Sequence, residues 1–357
     1  MGRRANWRST VNFNVVLPLC SSLLSLVFCA LLFGQWRERR RSYQAVWALG
    51  MLWYGLSAGT EFLGGAFGWS EPLYRVWYLI GAIWVAGWLG LGTVLLLGKT
   101  RFGYAFAGSL FLAGLFTVLT QAKYNYANSG IAPVLYFGVA AVLAVAIVVD
   151  TFRGGSAWPL LAAAALVVGT VVSAVMMALV SLPAPGWVVD PVTHIPTGDL
   201  FPGYLRLLTP FFNITGAFAL ILGGVYSTYI FMPKVRVIRY SLVRNQSAAR
   251  YLGNVLVAPF AIVLNLAVSI PAALAALLTG RLHSRVPATL LIALGGLIPA
   301  ITSGMNRFGN TSGFFVGELL GVVFLFAGFL VSIEVFSEIR IPFTGIVLRS
   351  RTPEDIA

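Results

Sequence analysis

The sequence predicts an all-α polytopic membrane protein of about nine to ten transmembrane helices, and three observations predict it. Hydrophobic residues make up 59% of the 357-residue chain and charged residues only 10%, where an ordinary soluble domain carries about 25% charged residues. The mean hydropathy is +0.87. Apolar runs of about 20 residues, the length that crosses a bilayer, recur along the chain with short polar gaps between them. A surface this poor in charge cannot face water over most of its area, which excludes a cytosolic enzyme and a nucleic-acid-binding module. The 24 Lys and Arg outnumber the 11 Asp and Glu, for a formal net charge of +13. These basic residues sit in the gaps, so they read as topology signals and contacts to anionic lipid headgroups.

The first run, over about 13–34, is long enough to span, by the length rule. It is followed by Arg37, Arg39, Arg40 and Arg41, a stop-transfer pattern, so it reads as a retained helix and not as a cleaved leader. Spans then follow at about 44–68, 73–98, 102–121, 131–151, 157–181 and 205–231, by the same rule. They complete a seven-helix bundle within residues 1–240. Residues 241–357 form a second block: the end of a basic connector, then apolar segments at about 254–279, 286–305 and 311–336. The first of these carries Pro259 and Pro271. It reads either as one long proline-kinked span or as a re-entrant or interfacial segment.

Basic residues set the expected orientation. One side gathers Arg37 to Arg41, Lys99, Arg101, Arg153 and the cluster in 232–253 (Lys234, Arg236, Arg239, Arg244, Arg250). The other side takes Arg3, Arg4, Arg8, Arg75, Lys123 and Arg206. The bias predicts an inner-membrane protein with its N-terminus outside and 232–253 cytoplasmic, lying against anionic headgroups. If 254–279 spans, the later arginines cancel most of this bias; if it does not, they reinforce it.

The inventory argues against two cofactors. Membrane haem takes its axial ligands from facing helices, and both histidines, His194 and His283, fall in connecting segments. Retinal needs a lysine at mid-membrane for its Schiff base, and Lys99, Lys123 and Lys234 all lie in gaps. No catalytic motif stands in a sensible place, so an enzyme is not expected.

Carboxylates at bilayer depth are costly and usually functional. Glu61 shares a helix face with Trp47 and Tyr54 at seven-residue spacing. The next helix offers a stripe of Tyr74, Trp77, Trp84 and Trp88, with Gly81 opening a gap. If the stripes meet, a counter-charge beside electron-rich rings suits an organic cation. Glu318 flanks a ladder of Gly313, Gly317, Gly321 and Gly328, a small-xxx-small pattern for close helix contact within the chain, with a partner helix or with a second copy. Arg307 stands across the preceding gap as a possible counter-ion. Glu334, near Glu338 and Arg340, reads as interfacial. In the loop 182–204, Asp190, His194 and Asp199 are weak metal candidates whose spacing matches no defined site. Together these point to a protein that binds and moves a small ligand or ion within its bundle, or alternatively to a sensor or accessory subunit of a larger membrane complex.

Overall fold

The computed structural model describes residues 13–191, 195–243, 245–279, 282–283, 285–306, 313–332, 338–340 and 347–349. Ten long helices follow the order of the predicted spans: α1 Phe13–Arg39, α2 Ser42–Phe67, α3 Glu71–Leu96, α4 Gly103–Tyr124 and α5 Ala132–Arg153, then α6 Trp158–Leu179, α7 Gly203–Phe231, α8 Ala248–Leu278, α9 Arg285–Asn306 and α10 Phe314–Val331. Among the described residues nine of them are long and apolar enough to cross a membrane; the chain is a multi-pass membrane protein. The remaining one, α2, has 26 residues but carries Gln44, Ser57, Thr60 and Glu61 on its buried side. It is the least lipid-like helix because its polar positions face neighbouring helices and not hydrocarbon. Beyond the last helix the chain adds a short antiparallel pair of three-residue strands, β1 Glu338–Arg340 with β2 Val347–Arg349. Glu334 and Arg307 lie outside the described residues.

Short connections alternate the helix ends between two faces. Arg101, at the start of α4, donates to Thr151 O at the end of α5, which fixes one face; Arg37, Arg39, Lys99 and Arg153 belong to it, and we call it the basic face. On the opposite face Arg75, near the start of α3, donates to Met177 O at 2.5 Å and Val180 O at 2.7 Å where α6 ends. Gly203 N donates to Ala127 O at 2.7 Å on that face too.

The sequence divides at about residue 240, but the packing does not. Phe28 and Leu32 of α1 and Trp47, Met51 and Tyr54 of α2 share one buried cluster with Val322, Leu325 and Phe329 of α10. The glycine ladder is also used inside the chain. A side chain at Gly321 would strike Pro299, one at Gly317 would strike Thr302, and one at Gly328 would meet Ala288 O at 2.7 Å. Gly317 and Gly321 thus seat α9 against α10, where the sequence left open a second chain. Gly313 has open space around it. The stretch 254–279 belongs to a single continuous helix of 31 residues, with Pro259 and Pro271 inside it.

Candidate functional site

Glu61 lies two turns before the end of α2, about 9 Å below it at 1.5 Å per residue. Gly68, with φ +95°, stops that helix, and Trp69 folds back so closely on Gly64 that any side chain there would strike the indole. Glu318 lies one turn into α10. The two helices run in opposite directions between the faces, so both carboxyls arrive at the same depth, toward the opposite face. The two carboxyls lie close enough to interact directly.

The surroundings of the pair are polar only by single, directed groups. Trp77 Nε1 donates to Glu61 Oε1 at 2.9 Å. Tyr54 OH donates to Glu318 O at 2.8 Å, which ties α2 to the first turn of α10. Glu61 Oε2 and Glu318 Oε2 are buried and accept no hydrogen bond from the described residues. Among the described residues no Lys, Arg or His pairs with either carboxyl. Glu318 thus faces Glu61; Arg307, the counter-ion expected from the sequence, lies outside the described residues.

A cavity of about 320 Å³ reaches Glu61 from the opposite face. Glu61 lines it together with Asn14, Trp69, Trp187 and Phe315. Trp187 comes from the loop between α6 and α7, which folds over the cavity through a bridge between Val189 and Pro196. Below the pair the way is closed by Tyr54, Met51 and Trp47, all at most 6% exposed. A larger hollow of about 580 Å³ on the same face is bordered by Tyr126, Asp199 and Arg206. Its two charges neutralise each other at 3.0 Å, so it presents no unmatched charge to a ligand.

The expected aromatic stripe is only partly assembled. Within α3, residues Tyr78–Trp84 form a π-helical segment, closed by Val85 N donating to Ile80 O. A wider turn advances fewer degrees per residue, so positions after it fall out of phase with those before it. Tyr74 and Trp77 stay on the site side, stacked at 5.6 Å. Trp84 instead donates to Ser173 Oγ of α6 at 2.9 Å and meets Trp53 edge-on at 5.1 Å. Trp88 packs against the core between α4, α5 and α7. The gap at Gly81 is filled by Ser57. Trp47 is buried two turns away from Tyr54, donates to Leu89 O at 3.2 Å and packs against Phe329, so it joins helices and does not line the cavity.

Sequence reasoning missed Trp69, Trp187, Asn14 and Phe315. Each lies at a helix end or in a loop, where periodicity gives no direction; only the loop position of Trp187 near Asp190 hinted at a covered face. Of the loop triad only Asp190 and Asp199 are described, and among the described residues no group of three His, Cys, Asp or Glu could hold a metal ion. Asp199 is taken by Arg206 and by Thr197 Oγ1 at 2.8 Å, Asp190 N bonds Ile195 O at 2.9 Å, and His194 lies outside the described residues. Compared with known proteins, the chain matches no family model, no curated protein and no solved structure.

Proposed function

We propose that the chain is a non-enzymatic membrane protein that takes a small organic cation from the face opposite the basic one and moves it through a seam between α2 and α10. The observation that carries this reading is Glu61 lining an aromatic-walled cavity with the buried Glu318 beside it, the two having no basic partner among the described residues. A cation brings the missing counter-charge, Trp69 and Trp187 offer their ring faces, and about 320 Å³ suits a small ligand. Two carboxylates in contact cannot both ionise cheaply, so the empty pair keeps a proton that binding displaces, and each cation entering releases up to one proton. By the distribution of Arg and Lys the basic face is cytoplasmic and the cavity opens outside.

The packed layer of Tyr54, Met51 and Trp47 beneath the pair favours a second reading, a sensor or accessory subunit that binds without passage. Both readings meet the same experiment. In proteoliposomes, choline or a tetraalkylammonium ion should quench tryptophan fluorescence, and Glu61→Gln should weaken that binding at least tenfold. Uptake of the labelled cation down its gradient, lost in Glu61→Gln and Glu318→Gln, supports movement; saturable binding without uptake supports the sensor. Absence of saturable binding by the folded wild-type protein overturns both.

A further inference from the structure

Helix α8 has the length and composition of a span, but its contacts place it elsewhere. Near its start, Tyr251 OH is 2.8 Å from Tyr104 OH, and its ring meets Phe152 at 5.4 Å. Tyr104 begins α4 and Phe152 ends α5, both on the basic face. At its middle, Asn265 Oδ1 accepts from Val237 N at 2.8 Å and Ile238 N at 3.0 Å, and Asn265 Nδ2 donates to Ile238 O at 2.8 Å. One turn on, Ser269 Oγ accepts from Val235 N at 2.8 Å. These backbone groups follow directly on the end of α7, again at the basic face. Just past its end, His283 stacks on Phe231, the last residue of α7, at 5.1 Å. Arg285 then lies over the same ring at 4.4 Å.

A span would carry Tyr251 and His283 to opposite sides of a hydrocarbon core about 30 Å thick. The five residues from Leu278 to His283 reach at most about 18 Å fully extended, so the helix cannot end on the far face and return. Its sides are also sorted. Tyr251, Ala258, Ala261, Asn265 and Ser269 are buried along one stripe, while Leu252, Leu256, Phe260, Val263, Ile270 and Leu274 are exposed along the other. Lys234, Arg236, Arg239 and Arg250 are exposed beside the covered stripe.

We propose that α8 lies in the plane of the membrane on the basic face, with its apolar stripe seated in an anionic leaflet and the Lys234–Arg239 strand along its polar side. This is the form of an interfacial amphipathic helix, whose apolar face sinks about 5–10 Å into the headgroup–acyl boundary. The basic strand selects anionic lipid for that leaflet. Crossings then number nine, α2 included, and the basic bias is restored. Only Arg3, Arg4, Arg8, Arg75, Lys123, Arg206 and Arg307 remain on the opposite side. The inference stands on contacts remote from the Glu61 cavity and does not depend on the cation reading.

The test uses the full chain with Cys20 and Cys29 replaced by alanine and single cysteines at Leu256, Val263 or Leu274, labelled with bimane and reconstituted. Lipids brominated at shallow or deep chain positions then report depth. All three sites should be quenched most by shallow bromines and at one common depth. A crossing helix would spread the three over about 27 Å, which would overturn the proposal. Quenching at none of them would do the same, because protein, a second copy or water would then cover the stripe. Brominated phosphatidylglycerol should quench about twofold more than brominated phosphatidylcholine at equal bulk fraction, and K234Q/R236Q/R239Q should remove the excess. Equal quenching by the two headgroups in the wild type would overturn the anionic preference.

Discussion

Trp77 and Trp84 look alike in sequence, two indoles on one apolar helix, and differ in what their N–H groups hold. Trp77 satisfies Glu61 and Trp84 satisfies Ser173. Replacing either by Phe removes one buried hydrogen bond and should cost about 1 kcal/mol of stability, read by unfolding in mixed micelles. The two variants should part on ligand affinity: Trp77→Phe leaves a carboxyl oxygen without its donor and shifts cation binding several-fold, whereas Trp84→Phe leaves it unchanged. Equal affinity in both would detach Trp77 from the site. At this scale Glu61 and Glu318 were each visible as carboxylates in apolar runs. Their pairing was not, since a separation of 257 positions carries no signal of which helices become neighbours.

The elements show why close approach and phase matter more than propensity. Where α3 crosses α7, a side chain on Gly90 would lie 2.5 Å from Gly216 O, and one on Gly216 would strike Ala86 O. Both obstacles are backbone, which cannot rotate aside, so Gly216→Ala must push the helices apart. A loss of about 1–3 kcal/mol is expected. Gly138→Ala in α5 meets nothing within 4 Å and should stay within about 0.5 kcal/mol of wild type. Thermal unfolding in one detergent compares the two directly; equal loss would mean that the α3–α7 contact is not held this tightly. Helix positions and lengths were readable from hydropathy, because a bilayer imposes them. The π segment was not, and one widened turn is enough to send Trp84 and Trp88 away from the face that a 3.6-residue period assigns them.

Helices far apart in the chain share a buried interior. α10 closes the cluster that α1 and α2 begin, and Tyr54 fastens α2 to Glu318 across it. A chain cut after residue 240 should therefore fail to give a monodisperse, folded seven-helix bundle in detergent; a stable truncated bundle would show that α9 and α10 are dispensable additions. The sequence by itself determined that hydrocarbon surrounds this chain, where its helices run, and which few polar groups are too costly to be there idly. These are sums over neighbouring residues, and burial energy adds locally. Only the tertiary structure decided that two distant carboxyls meet beside an aromatic vestibule, and that both ends of the proline-bearing helix contact groups on the same face. Such outcomes depend on accumulated rotation along each helix and on which helix ends meet, and neither is a local sum.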